Sequence, residues 1–249
     1  LDGKKRSLYF SLLTRSKFKF LFTYKGFFKV LFKIFFTKIF YDNDSDNKIL
    51  EIKNLLNFLG FNLDKSDLNT IDIPPVLARN FNIPSTDKYT LFHLDEKWIF
   101  KDYIHTYKSI EPESEESLIK FIEQLVKKTK RDVIISTGDL PNRFTHFLKK
   151  KFFNYNNNIY LYQVFDSKVF FLEDLNFLEL EKLILFSNLL ITCHGAVTHV
   201  AASFNIRIID IIDKSEKVFF NKWTSHFDNH ILIERNPFKV LTNKIIDNC

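Results

Sequence analysis

Methionine is missing altogether, cysteine occurs twice, and glycine and proline are scarce, at five and six among 249 residues. Two cysteines, Cys193 and Cys249, build no disulfide framework and offer no paired metal-ligand spacing, so a reducing, cytoplasmic setting is the default. No apolar run reaches the roughly 18–20 residues that a membrane-spanning helix needs, and no secretory leader is visible. The missing Met has its own consequence. An open reading frame begins with one, whereas this chain begins with Leu1, and we read that as an absent upstream segment rather than as processing. Positive charge is also short of what a nucleic-acid binder carries. Thirty-six Lys and Arg against 30 Asp and Glu leave a net +6, better matched to an enzyme with an anionic ligand or a membrane-side acceptor than to a dense basic face.

What the chain has in excess is Phe, 30 in all. Spread over the whole length beside abundant Asn, Lys and Ile, it matches the codon bias of an AT-rich genome and is not read as a functional signal.

With 45% hydrophobic residues the chain can bury a sizeable core in one large or two small domains. The alternation Lys17-Phe18-Lys19-Phe20-Leu21-Phe22 predicts a strand. Residues 26–40 (GFFKVLFKIFFTKIF) follow. At helical spacing Lys25, Lys29 and Lys33 form one stripe and phenylalanines fill most of the remaining surface, which predicts a helix, either buried or lying on a membrane surface. A second helix is predicted over 47–59, ended by Gly60. Residues 61–90, with Ile73-Pro74-Pro75 and Ile83-Pro84, show little periodicity and read as a connection. We therefore expect a partial N-terminal domain at 1–75 and a C-terminal domain at 76–249.

From Tyr89 the texture changes. Strands are predicted at 89–94, 132–136, 159–164, 189–192 and 206–212. Helices are predicted at 113–130, 144–151 and 175–186, with another starting over 199–204. The helix at 113–130 opens on acidic residues and closes on Lys127, Lys128 and Lys130, the arrangement that the helix dipole favours. Short apolar strands alternating with helices predict an α/β fold with a doubly wound parallel sheet covered on both faces.

In such sheets ligands bind beyond the carboxyl ends of the strands. Residues 189–202 (LLITCHGAVTHVAA) run an apolar strand through a small-residue turn into a helix. Gly195 and Ala196 let the backbone approach a ligand closely, and the free N–H groups at the helix start suit a diphosphate. His194, Thr198 and His199 add side-chain donors at the same end. The competing reading is an ordinary tight turn with satisfied histidines. Two histidines five apart hint at a metal, but no third ligand stands at a matching spacing.

This segment resembles the heptosyltransferase family, glycosyltransferase family nine. That family's C-terminal domain has an Asp-Thr-Gly-x-x-His-x-Ala-Ala turn for its nucleotide-sugar donor. Aligned on His199, the residues His199, Ala201 and Ala202 agree; His194 stands in place of the family's Asp and Gly195 in place of its Thr. The flanks follow the family's order. Residues 172–186 (LEDLNFLELEKLILF) resemble its Leu-rich helix and Ser187-Asn188-Leu189-Leu190-Ile191 the strand after it. Residues 206–212 resemble the next strand, and Trp223 the tryptophan beyond a charged loop. Leu91-Phe92-His93-Leu94-Asp95-Glu96-Lys97-Trp98 resembles the first-strand loop whose lysine meets donor phosphate, and Ser136-Thr137-Gly138 is expected to line the same cleft. More faintly, the basic Lys4-Lys5-Arg6-Ser7 and the strand after it resemble the second half of the family's N-terminal acceptor domain.

The resemblance implies a GT-B-like fold and sugar transfer from a nucleotide-diphosphate donor, with inversion, to a lipid-linked saccharide of lipopolysaccharide or a related surface glycan. It implies no metal and no cofactor, and a place in the cytoplasm at the inner face of the inner membrane. The donor-binding residues would be Lys97, His194, Gly195, Ala196, Thr198 and His199. The family's catalytic Asp, the base for the acceptor hydroxyl, sits near the start of its N-terminal domain and is expected upstream of Leu1. A non-catalytic nucleotide- or sugar-phosphate-binding module would use the same turn without a base.

Overall fold

The structure is a computed structural model and describes residues 20–24, 37–42, 48–62, 82–85, 87–98, 110–138, 143–156 and 158–249. Its contacts divide into two units, Leu1–Asp64 with Val218–His226, and Lys65–Lys217 with Phe227–Cys249. The expected boundary at 75/76 lies outside the described residues.

In the first unit β1 (Phe20–Tyr24) pairs in parallel with β2 (Lys38–Asp42). The strand expected from residue 17 onward is therefore present from Phe20. The helix predicted over 26–40 is corrected at its end, because Lys38, Ile39 and Phe40 lie in β2. Alternating Lys-Ile-Phe-Tyr suits a pleated strand as well as a helix, and short apolar runs do not separate the two periods. Lys25, Lys29 and Lys33 fall outside the described residues. Helix α1 (Lys48–Phe58) ends as predicted at Gly60, whose φ of +88° is the left-handed cap conformation. The Gly60 and Phe61 amides donate to the Asn57 and Leu56 carbonyls, a Schellman closure that satisfies the last turn.

The second unit is built on an eight-stranded sheet. Strands β3 (Tyr89–His93), β4 (Val133–Ser136), β7 (Ser167–Leu172), β8 (Ser187–Cys193), β9 (Arg207–Ile212) and β10 (His230–Glu234) run parallel in the order β10-β9-β8-β3-β4-β7. Read from β7 to β10, that is the 3-2-1-4-5-6 order of a doubly wound sheet. The parallel sheet is present as expected. Two strands extend it differently: β6 (Ile159–Val164) turns back antiparallel on β7, and β5 (Phe153–Asn156) pairs antiparallel with β6 at the edge.

Every residue of β3 and β4 is buried, because both faces are covered. Helices α2 (Glu115–Thr129), α3 (Arg143–Lys151) and α7 (Phe238–Asp247) cover one face, packing Phe121, Leu125, Phe144, Leu148 and Leu241 against Phe92, Val133 and Ile135. Helices α4 (Phe177–Phe186) and α5 (Ala196–Ser203) cover the other, packing Leu183, Ile184, Val200 and Ala201 against Leu91, Ile134 and Ile208. Alternate residues of one strand, Leu91 and Phe92, thus feed different core layers, as the period of two requires. Helix α6 (Lys217–Thr224) contributes most of its length to the first unit.

Candidate functional site

In a doubly wound sheet the crevice opens where the strand order reverses. Here that point lies between β3 and β8, neighbours whose connections leave in opposite directions along the sheet. Both predicted elements arrive there. β3 runs through Leu94 and Asp95 into a single 3-10 turn, Glu96–Trp98, that carries Lys97. β8 runs through His194 and Gly195 into α5. The two meet closely: a Cβ placed on Gly195 would lie 2.5 Å from the Lys97 Nζ. Glycine at 195 leaves room for the ammonium against the turn, and the first amides of α5 lack carbonyl partners within their own helix. Cation and helix terminus thus meet at one turn, the candidate seat for an anion.

Lys97 is held from two sides. Its ammonium pairs with Asp95 at 3.1 Å, its own amide donates to the same carboxylate at 3.2 Å, and Arg235 donates to its carbonyl. Burial alone would lower the lysine pKa, but the Asp95 carboxylate outweighs it and raises it, so the ammonium stays charged. Asp95 is 3% exposed, and burial pushes its carboxyl up against the pull of Lys97. Behind it, His93 Nδ1 lies 2.9 Å from the Ser136 hydroxyl, and burial, then Lys97, hold this histidine down to about 4, hence neutral. Trp98 is locked by its indole N–H donating to the His93 carbonyl. The Ser136-Thr137-Gly138 stretch abuts the loop, since a Cβ on Gly138 would lie 2.5 Å from Glu96 Oε2.

On the other side of the seat stands Asp210, in the middle of β9 and fully buried. His194 Nδ1 donates to its Oδ2 at 2.6 Å and His230 Nε2 to the same oxygen at 3.0 Å. The Thr198 hydroxyl donates to Oδ1 at 3.3 Å, and the Gly195 amide donates to that hydroxyl at 3.2 Å. Burial pushes Asp210 up, yet the hydrogen bonds from His194 and His230 outweigh it and hold the carboxyl below its ordinary range. His199 is exposed on α5, in edge-to-face contact with His194 at 5.5 Å and Phe227 at 5.4 Å. Phe227 in turn meets His230 at 5.2 Å.

The structure therefore brings Lys97, His194, Gly195, Ala196, Thr198 and His199 to one end of the sheet. Sequence reasoning missed Asp95, Asp210, His230 and Arg235. The signal for Asp210 was present, as a lone carboxylate in the apolar strand Ile-Ile-Asp-Ile-Ile, where an unpaired charge would be expensive to bury. His230 and Arg235 carry no local signal, because the strand that brings them was not predicted. Among the described residues no group of three or more His, Cys, Asp or Glu could hold a metal ion. A groove lined by Gln124, Lys127, Lys128, Asn243, Ile246 and Asp247 opens elsewhere, between the last turns of α2 and α7.

No protein-family model matches the sequence, and no curated protein matches it. Among solved structures, a glycosyl transferase family 9 protein from Veillonella parvula matches with a TM-score of 0.61 at 18% identity, over 94% of this chain and 61% of that one. A UDP-GlcNAc 2-epimerase from Methanocaldococcus jannaschii, in complex with UDP-GlcNAc and UDP, reaches a TM-score of 0.39 at 19% identity, over 66% of this chain and 39% of that one. This chain thus spans 61% of the length of the family 9 structure. At that identity the likeness is one of architecture: the chain is an α/β protein of GT-B-like fold, the fold of a glycosyltransferase family 9 structure.

Proposed function

We propose that this chain is the donor-binding part of a family 9, heptosyltransferase-like glycosyltransferase. In this reading it moves a sugar from a nucleotide-diphosphate donor to a lipid-linked saccharide of lipopolysaccharide or a related surface glycan. The observation that carries the proposal is the meeting of Lys97 with Gly195 at the head of α5, where the strand order reverses.

A diphosphate seated there would face the ammonium of Lys97 and the amides of Ala196 and Val197 at the start of α5, the Gly195 and Thr198 amides being bonded within the turn. Transfer forms a bond from the acceptor oxygen to the anomeric carbon and breaks the bond from that carbon to the β-phosphate oxygen. The acceptor proton leaves to a base. Negative charge grows on the departing diphosphate, so fixed positive charge beside it lowers the barrier more than it stabilises the ground state. Lys97 would supply a positive charge shared with Asp95 and α5 a partial one, and neither has to move far, because Asp95 and Arg235 already hold the loop. The acceptor side and a place at the inner face of the inner membrane belong to the proposal only through the family resemblance, whereas the membrane contact of residues 26–40 rests also on the stripe of Lys25, Lys29 and Lys33 beside the phenylalanines.

The test is calorimetry with UDP- and ADP-type nucleotide sugars on the wild type and on Lys97→Ala. The expected outcome is saturable binding that weakens about tenfold or more in the variant. Equal binding by both proteins would remove Lys97 from the site and sink the proposal. Binding without any sugar transfer by the intact enzyme would leave the nucleotide-binding module as the reading.

A further inference from the structure

The turn that faces the proposed diphosphate is shaped by a residue that cannot touch it. Asp210 has no exposed surface, and three side chains converge on it from three other places in the chain. His194 and Thr198 come from the β8–α5 turn and the helix it opens, and His230 from β10. The two carboxylate oxygens divide the work. Oδ2 takes both imidazoles, while Oδ1 takes the Thr198 hydroxyl, which in turn receives the Gly195 amide. A carboxylate only accepts, so it fixes the proton of His194 on Nδ1 and that of Thr198 on the side of Oδ1. With its proton committed to Asp210, Thr198 Oγ1 is left as an acceptor for the glycine amide. One buried charge therefore sets a ring orientation, a hydroxyl rotor and the direction of a backbone N–H at the same turn.

We propose that Asp210 is the positioning residue of the donor turn. Through His194 and Thr198 it pre-organises the imidazole and the Gly195 backbone for a diphosphate that it never contacts. This rests on the function proposed above. Behind metal-binding side chains, orienting groups matter at the level of about ten- to a hundredfold in affinity, and the lower end of that range is expected here. Strand β9 offers no other polar side chain among its buried residues, Ile208 to Ile212, to take over that task.

The experiment is a double-mutant cycle read by calorimetry with inorganic pyrophosphate, using Asp210→Asn, His194→Gln and the pair. Asp210→Asn is expected to weaken pyrophosphate about tenfold in the otherwise native chain, and by a clearly smaller factor, that of the Thr198 arm alone, when His194 is already Gln. The second readout needs no ligand. The Nδ1 proton of His194, held by a 2.6 Å bond, should give a far-downfield proton resonance that Asp210→Asn abolishes. If Asp210→Asn does not fold, Thr198→Val removes one arm alone and should weaken pyrophosphate severalfold.

A tenfold loss of equal size in both backgrounds, or a downfield resonance that survives Asp210→Asn, would overturn the inference and leave the proposed function standing. Unchanged affinity in Thr198→Val would overturn it as well. Wild-type protein that binds no pyrophosphate would overturn both.

Discussion

At the parallel end of the sheet β8 and β9 carry Thr192, Cys193 and Asp210 in full burial, whereas at the antiparallel end every residue of β5 is exposed. Both ends belong to one sheet and share one core, and yet polar groups are treated in opposite ways. Beside β3, β8 and β9, two buried carboxylates hold polar partners: Asp95 holds Lys97, and Asp210 holds His194 and His230. Beside β5 and β6 the large side chains Phe153, Tyr155 and Phe165 stand in solvent at 73%, 57% and 74% exposure. Burying a charge is costly and persists where something is gained from it. The difference agrees with the site proposed at the parallel end and leaves the antiparallel end as the closing edge of the architecture.

The largest effect expected separates stability from binding. Phe171 is fully buried in β7, next to the antiparallel strands. Phe171→Ala should lower stability by about 3–5 kcal/mol and leave the pyrophosphate affinity of the folded fraction unchanged. Denaturant unfolding and calorimetry check the two halves. A loss of affinity in the folded variant would show that the two ends are not independent.

Gly195→Asp reverses that pattern. The added Cβ meets only the far end of the flexible Lys97 side chain, so the fold should tolerate it. The carboxylate, however, would compete for Lys97 and put negative charge where the proposed diphosphate would sit. Pyrophosphate binding is expected to fall at least about a hundredfold, or about 2.7 kcal/mol, with a melting temperature close to wild type. Unaltered affinity would move the ligand to another part of the sheet.

The two buried carboxylates should answer pH in opposite senses. Asp210 is held below its ordinary value, so the folded state binds its proton less tightly than the unfolded chain. Its contribution is complete above the ordinary carboxylate pKa of about 3.9 and is lost as pH falls through the depressed value. Asp95 is raised by burial, so the folded state binds its proton more tightly. Stability is then lost as pH rises from about 3.9 through the raised value. Lys97→Ala removes the cation that opposes this, and should steepen the second loss. Melting temperatures of wild type, Lys97→Ala and Asp95→Asn across that range give the signs directly; a flat profile in Lys97→Ala would contradict the assignment.

Much of the parallel end was legible in the sequence, and the reason is local. β3, β4, β8 and β9 are short apolar runs that end in turns, and the head of α5 is written in consecutive residues, His194 to Thr198. What could not be read is whatever depends on long-range pairing. Asp210 acquires its role only when β9 lies beside β8, and His230 only when β10 lies beside β9. The strand β7 escaped because Ser-Lys-Val-Phe-Phe-Leu follows β6 after two residues without a glycine, so no hairpin signal was present. Residues 38–40 failed for a different reason, since their Phe-rich texture fits either period.

That hairpin supplies the smallest and sharpest test. Val164 pairs with Ser167, which leaves Phe165 and Asp166 as a two-residue loop. Phe165 has a φ of +53°, the left-handed region in which glycine is preferred. A Phe there strains its Cβ against the backbone, by roughly 1–2 kcal/mol for an L residue in this region. With the ring 74% exposed, little packing offsets the strain. The Gln163 side-chain amide donates to the Phe165 and Ser167 carbonyls, and both bonds survive a change at residue 165. Phe165→Gly should therefore relieve the strain, at the expense of greater backbone freedom in the unfolded chain. The net gain should be about 0.5 kcal/mol, or roughly 1–2 °C in melting temperature for a chain of this size. Because the change lies at the closing edge, pyrophosphate affinity should stay within error. A fall in melting temperature would mean that the Phe165 ring is held by packing at that edge, and that the exposed aromatics there are structural rather than incidental.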